Sequence, residues 1–278
     1  MNFQEIEYAV TDRVATITLN RPEKLNALTK VMEEELFEAM KEANDDSEVR
    51  VIVLTGAGKG FCSGADISLL QSITSEDFQN TPPETIFQKY VPNRQVGEHQ
   101  KDFQRCWSYF PSIEKPIIAA INGPAVGLGF ILTLFCDIRF AAENARFSTA
   151  FSKRGLIAEH GISWILPRLA GISNALDLLF SARMISASEA QSMNLTSRTY
   201  SAETLLEEVQ SYAKDLTQNV SPRSLRLMKR EVYKAQLQSL DEAIDDANQD
   251  MLESFGSDDF KEGVAHFVEK RPARFTGQ

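Results

Sequence analysis

Short apolar runs alternate with amphipathic stretches through the first third of the chain. Ile6 to Val10 and Val14 to Leu19, separated by the polar Thr11-Asp12-Arg13, have the length and composition of paired strands. Lys30 to Asp45 carries apolar residues at three- and four-residue spacing, which predicts an amphipathic helix, and Val51 to Thr55 reads as a further buried strand. The opening is therefore ββαβ. A second run, Ile117 to Ile121, precedes a very apolar helix over Phe130 to Phe135, with short strands at Ile138 to Ala141 and near Phe147, so the second half of the core loosely repeats the first. From about residue 172 the helical period takes over, at Ala175 to Phe180, Ser186 to Asn194, Ala202 to Leu216, Pro222 to Leu237 and Leu240 to Phe255. Such a tail covers either its own core or a neighbouring subunit. The polar stretch Thr74 to Lys101, with Thr81-Pro82-Pro83 and Pro92-Asn93, interrupts the pattern and reads as a lid or surface insertion, since loops of this length are usually functional or mobile.

Two of the strand patterns run into glycine-bearing turns, Phe61-Cys62-Ser63-Gly64-Ala65-Asp66 and Asn122-Gly123-Pro124-Ala125-Val126-Gly127-Leu128-Gly129, and each turn leads into a helix start. A backbone N–H in such a turn points outward with a helix N-terminus behind it, and two converging N–H groups hold one developing oxyanion. The pair suits an enolate. For either turn alone, plain strand-to-helix punctuation, where glycine supplies tight geometry, is the alternative. Gly56-Ala57-Gly58-Lys59-Gly60 superficially suggests a phosphate loop but lacks that motif's spacing and its Lys-Ser/Thr ending, so it reads as an ordinary loop.

At 278 residues, 43% apolar and 24% charged, the chain has room for one large core and an appended helical segment. A net charge of −10 with dispersed lysines and arginines argues against a broad nucleic-acid or anionic-membrane footprint. Cys62, Cys106 and Cys136 have no CxxC spacing, so neither a zinc site nor a disulfide framework is expected, and reducing cytoplasm suits them. The N-terminus lacks a basic-then-apolar signal, no apolar run approaches the roughly 18 residues of a spanning helix, and the last residues carry no peroxisomal or ER-retention address.

Taken together, Leu19-Asn20-Arg21-Pro22 with Leu25-Asn26-Ala27-Leu28, Val51 to Thr55, Phe61 to Ile67, Lys115 to Gly123, Cys136-Asp137 and Phe267-Val268-Glu269-Lys270-Arg271 resemble the crotonase superfamily of enoyl-CoA hydratases and isomerases over essentially the whole length. The resemblance implies an α/β fold with a spiral ββα core, a C-terminal helical region, trimers or dimers of trimers, and an acyl-CoA thioester as substrate, with no cofactor beyond the coenzyme A of that thioester. It divides the chain into a core over residues 1–200, with the insertion at about 74–101, and a helical trimerisation region over 201–278. The family's two oxyanion donors map onto the N–H groups of Ala65 and Leu128. Polarising a thioester carbonyl acidifies its α proton, and each such donor is commonly worth about 2.7–4 kcal/mol in the transition state. Coenzyme A is implied near Lys24 and Leu25 and near Ala65, Asp66, Ile67 and Ser68, with Phe267 and Lys270 supplying aromatic and basic contacts from the C-terminal segment; for Lys270 a solvated helix end is the alternative.

The paired glutamates of the hydratase branch align with Ile131 and Phe151, neither of which transfers a proton. A different acid, Glu159, falls where the peroxisomal-type delta-3,delta-2-enoyl-CoA isomerases and the ring-opening phenylacetate-pathway isomerases carry a single catalytic carboxylate, and that branch accepts a bulky apolar residue at the position of Leu128. Glu159 is expected at the start of a helix before Pro167, desolvated by Leu156, Ile157, Ile162 and Trp164, which would raise its pKa toward that of a useful base. A glutamate interacting with the helix dipole is the alternative. His160 adjoins it, but neighbouring residues on a helix do not face each other. His99 and His266 are expected at the surface, Asp66 as a helix cap, and Asp137 in a structural turn. The resulting expectation is an isomerase that moves a double bond between the β,γ and α,β positions, with Glu159 as the proton shuttle. The alternatives are hydration, another crotonase reaction such as isomerisation of an aryl-CoA epoxide, and non-catalytic acyl-CoA binding.

Overall fold

Strands β1 (Ile6–Thr11) and β2 (Val14–Leu19) form an antiparallel hairpin with Ile6 opposite Leu19, and every later strand of the main sheet is laid down parallel to its predecessor. After β2 the chain climbs through α1 (Lys30–Asp45), capped by Thr29 whose hydroxyl accepts from the Met32 amide, and returns as β3 (Val51–Gly56). The order continues with β4 (Ile117–Ile121), β6 (Ile138–Ala142) and β9 (Arg198–Tyr200), giving β1-β2-β3-β4-β6-β9. A smaller sheet, β5 (Ala125–Val126), β7 (Arg146–Ser148) and β8 (Ile185–Ser186), is built from the segments between them. Successive turns of strand and helix stacked this way make the spiral. The computed structural model describes residues 3–73, 80–90, 94, 96 and 101–278.

Period-two alternation sorts the central strands between two layers of core. Ile52 and Leu54, Ile117, Ala119 and Ile121 face Met32, Leu36 and Met40 of α1 and the apolar helix α4 (Leu128–Phe135). Val51, Val53, Ile118 and Ala120 face the other way, onto Leu205, Val209 and Ala213 of α8 (Leu205–Asn219). The helical tail thus divides. α8 covers the sheet, whereas α10 (Leu240–Phe255) has no buried residue and, with α11 (Asp258–Glu269), leaves Leu240, Leu252, Phe255, Phe267 and Val268 exposed.

Between those parts, α9 (Pro222–Ala235) is pinned to the sheet by a buried ion pair. Lys229 Nζ lies 2.8 Å from Asp137 Oδ2, the Tyr233 hydroxyl donates to Asp137 Oδ1 at 3.0 Å, and the Ile117 amide donates to Oδ2 at 2.7 Å. Asp137 is the structural turn residue expected. Desolvation lowers the Lys229 pKa, and the facing carboxylate opposes that shift.

Of the polar stretch over 74–101, residues 80–90 contain helix α3 (Pro83–Tyr90), which follows α2 (Ile67–Ile73), while Arg94 donates to both oxygens of Glu34 at 3.0 and 2.9 Å and lies over the Phe37 ring, tying this segment to α1. Residues 74–79, 91–93, 95 and 97–100 of the expected lid, His99 among them, lie outside the described residues. Among the described residues no helix is long and apolar enough to cross a membrane.

Candidate active site

The two glycine turns lie against each other. The Phe61 and Cys62 amides both donate to the Pro124 carbonyl, at 3.1 and 3.0 Å, and the Val126 amide donates back to the Cys62 carbonyl at 2.9 Å. Gly64, at φ +100°, sits so close to the second turn that a Cβ there would stand 2.8 Å from the Val126 oxygen and 3.7 Å from the Leu128 nitrogen. Only glycine tolerates both that conformation and that approach. Leu28 binds the first turn from the other side, donating to the Gly64 oxygen at 2.8 Å and accepting from the Asp66 amide at 2.9 Å. This pairing skips Ala65. Among the described residues neither the Ala65 nor the Leu128 N–H has an acceptor, whereas the neighbouring Ser63, Asp66, Val126 and Gly127 amides are all bonded. Leu128 is also the first residue of α4, so its N–H carries the partial positive charge of the helix end. Two free amides on packed backbone can receive one oxygen that gains negative charge.

Glu159 does not begin a helix, as the sequence pattern suggests. It lies in an irregular turn, its amide bonded to the Ile157 oxygen, and α5 (Ile162–Ala170) starts three residues later and runs through Pro167 rather than ending before it. The reason is the backbone: His160 at φ +52° and Gly161 at φ +79° are left-handed and cannot continue a right-handed helix. The turn also changes the neighbours. Leu156 and Ile157 are 37% and 77% exposed, so they do not desolvate the carboxyl; Ile162, three residues on, is fully buried, and Trp164 packs on the core. Burial still raises the Glu159 pKa, with no opposing charge to lower it. The same left-handed pair brings His160 Nε2 to 3.8 Å from Glu159 Oε2, a pairing that helical geometry would forbid. The turn is tied to α4 at its far end, where the Phe135 ring reaches within 3.2 Å of where a Gly161 Cβ would be. Ile131 and Phe151 are buried apolar core residues.

Lys24 and Leu25 lie beside the first turn, since the Ser63 hydroxyl donates to the Lys24 oxygen and the Ser63 amide to the Leu25 oxygen. Asp66 accepts from the Ser68 amide at 3.0 Å and the Ser68 hydroxyl at 2.7 Å and pairs with Arg21 at 3.0 Å; these bonds, led by those from Ser68, hold its carboxyl down to about 2. Lys24, Leu25, Ala65, Asp66, Ile67 and Ser68 therefore form one surface. Phe267, 80% exposed, and Lys270 lie at the end of α11, which packs on α10, and no described bond joins them to that surface. His266 is half-buried rather than exposed, its ring packed on Phe275. Among the described residues no group of three His, Cys, Asp or Glu side chains is placed to hold a metal ion.

A family model described as enoyl-CoA hydratase/isomerase matches residues 10–278. The chain belongs to the enoyl-CoA hydratase/isomerase family. It is 34% identical to the 1,2-epoxyphenylacetyl-CoA isomerase of Escherichia coli strain K12 over 265 residues, 95% of each chain, and 32% identical to the crotonyl-CoA hydratase of Syntrophomonas wolfei over 99% of each. The crystal structure of a probable enoyl-CoA hydratase/isomerase from Mycobacterium abscessus superposes with a TM-score of 0.83 at 34% identity, covering 99% of both chains. The mixed α/β spiral is that of its relatives, and the protein is an acyl-CoA enzyme of this hydratase/isomerase family.

Three features of this hydratase/isomerase were not singled out as functional from sequence. Asn26, fully buried, donates to the Ala57 and Gly60 oxygens at 2.9 and 2.8 Å and accepts from the Arg21 amide; Asn122 donates to Gly58 and accepts from the Gly56 amide. Together they clamp the Gly56–Gly60 loop that precedes the first turn. Arg21 links Glu5, the Ala27 oxygen and Asp66. The signal was present, because all three lie within the motifs that carry the family resemblance, but their task is to position backbone.

Proposed function

We propose that the protein is an enoyl-CoA isomerase that converts a 3-enoyl thioester into the 2-enoyl thioester. The thioester oxygen sits between the Ala65 and Leu128 amides. The Glu159 carboxylate removes a proton from Cα; the electrons of that C–H bond delocalise through the carbonyl and the β,γ double bond as a dienolate, and the protonated carboxyl returns the proton to Cγ. The double bond then lies between Cα and Cβ. No water enters, which fits the apolar side chains at Ile131 and Phe151.

The observation that carries this reading is the pair of acceptor-free amides held on mutually bonded turns, together with the Glu159 carboxyl, whose pKa burial raises, on a turn that packs through Gly161 against Phe135 at the far end of α4. The coenzyme lies along Lys24, Leu25 and Ala65 to Ser68. Phe267 and Lys270 reach it from the end of α11 in an assembly of three chains, or of paired trimers, built on the exposed apolar residues of α10 and α11. The core over 1–200 carries the site and the helices over 201–278 the assembly. The reaction uses no cofactor beyond the coenzyme A of its substrate, and the three buried thiols suit the cytoplasm.

The test is turnover of 3-enoyl-CoA by the wild type and by Glu159→Ala. Loss of a positioned acid–base group should cost about 10²–10⁴-fold in rate; an unchanged rate would refute the assignment. Crotonyl-CoA hydration is expected to be weak or absent. A second reading, isomerisation of an aryl-CoA epoxide, is favoured by the name of the E. coli relative and is decided by substrate profiling.

A further inference from the structure

Building on the assignment of Glu159 as the proton carrier, we infer that His160 is a positioning residue that aims the Glu159 carboxyl at the substrate. Among the described residues that carboxyl has no hydrogen-bond partner, and the one basic group within 4 Å of it is His160 Nε2, 3.8 Å from Oε2. An unaimed carboxyl would spread over several rotamers, whereas proton transfer at two carbons of one dienolate needs it at a defined place. The contact is created by backbone geometry. His160 occupies the left-handed region at φ +52°, unfavourable for a residue with a side chain, and Gly161 follows it there. That reversal brings two adjacent side chains together.

His160 forms part of the wall of a cavity of about 380 Å³ whose other walls include Phe103, Cys106, Phe135 and Trp164. Burial lowers the pKa of His160 and favours the neutral ring. This suits the task. An imidazolium would pair with the carboxylate and weaken it as a base, whereas a neutral ring with its proton on Nε2 donates one hydrogen bond and leaves the base strength in place. At 3.8 Å the contact is longer than a hydrogen bond and would close by about 1 Å in the loaded site, as catalytic contacts often do on substrate binding.

Steady-state kinetics on 3-enoyl-CoA with His160→Phe, His160→Gln, Glu159→Gln and the Glu159→Gln/His160→Phe double variant test the inference. His160→Phe should lower kcat about 10–100-fold while KM changes by less than about threefold, and His160→Gln, which keeps an N–H donor, should recover most of the loss. The double variant should be no slower than Glu159→Gln, since groups acting as one unit are not additive. An inactive Glu159→Gln beside a His160→Phe of wild-type kcat overturns the role of His160 and leaves that of Glu159 standing. Losses that multiply in the double variant overturn it too. An active Glu159→Gln removes both. If His160→Phe does not fold, His160→Gln is compared with His160→Ala: a higher kcat for Gln at equal KM is expected, and equal rates overturn the inference.

Discussion

Replacing Gly129 by alanine tests whether the reaction depends on how closely the two turns pack. A Cβ on Gly129 would stand 2.1 Å from the Cys62 carbonyl oxygen and 2.7 Å from the Cys62 Cβ. Ordinary contact begins at 3.4 Å, so the backbones must part by about 3.4 − 2.1 = 1.3 Å. That oxygen is the acceptor for Val126, and Leu128 is the residue next to the new methyl, so the strain falls on the bond joining the turns and on one of the two free amides. Overpacking of this kind costs about 1–3 kcal/mol, offset by about 1 kcal/mol that alanine gains over glycine in a helix. Stability should fall by about 0–2 kcal/mol on that balance.

The effect on rate should be larger. A misplacement of about 1 Å costs on the order of 10²-fold, equivalent to about 2.7 kcal/mol of activation free energy. It should appear in kcat more than in KM, because the amides act on charge that develops after binding. Kinetics on 3-enoyl-CoA beside urea unfolding separates the two effects. Gly263→Ala in α11 is the control: the nearest atom to its Cβ would be Phe275 Cε1 at 3.8 Å, so it should stabilise by about 0.4–1 kcal/mol and leave kcat alone. A folded Gly129→Ala protein with kcat within about threefold of wild type would refute the dependence of catalysis on turn packing.

Lys229→Met should destabilise by about 3–5 kcal/mol, read as a lower urea midpoint, because it leaves the Asp137 carboxylate inside without its cation; a midpoint unchanged from wild type would contradict the pinning role of that pair. Burial raises the Glu159 pKa, so the acidic limb of kcat/KM should lie above the ordinary glutamate range, and a limb at or below it would count against Glu159 as the base. The linkage has the matching sign: a carboxyl with a raised folded-state pKa favours folding below its unfolded value and loses that contribution as pH rises through the folded value, so Glu159→Gln should melt no lower than wild type at pH 7. Sedimentation should give a species of at least three 31.1 kDa chains, and Leu252→Glu with Phe255→Glu should reduce it to monomer; a wild-type monomer would exclude α10 as an assembly surface.

Much of the fold was legible because its signals are local. The period-two runs at Ile6 to Val10 and Val14 to Leu19 and the helical period over Lys30 to Asp45 became β1, β2 and α1 with ends shifted by a residue at most. The two-residue strand Ala125–Val126 and the three-residue strand Arg198–Tyr200 are too short to show a period and exist only because a partner strand is already in place. At the site, the turns were legible because glycine marks them. The conformation of Glu159 was not, since a left-handed histidine leaves no trace in a hydrophobic pattern and the exposure of Ile157 depends on it.

The division of labour within the site explains why the family tolerates different chemistries on one frame. In the proposed mechanism the oxyanion device consists of backbone amides fixed by carbonyls, by the Asn26 and Asn122 clamps and by glycines that admit no side chain, so side-chain substitutions at residue 128 would change what lies beside the oxygen without removing a donor. The acid is a side chain and moves independently of the frame. In this chain the two positions aligned with the hydratase glutamates are closed over by core packing, Ile131 at 0% and Phe151 at 5% exposure, so a carboxylate restored at either would enter an apolar interior and be held neutral or expelled. The carboxyl that remains in play stands on a turn outside the core, attached to it through Gly161 and Phe135 and a third exposed. In the proposed mechanism, placing the acid on that turn exchanges a water-handling pair for one carboxyl beside a histidine, so that the surroundings of Glu159, rather than those of the two glycine turns, would set the reaction.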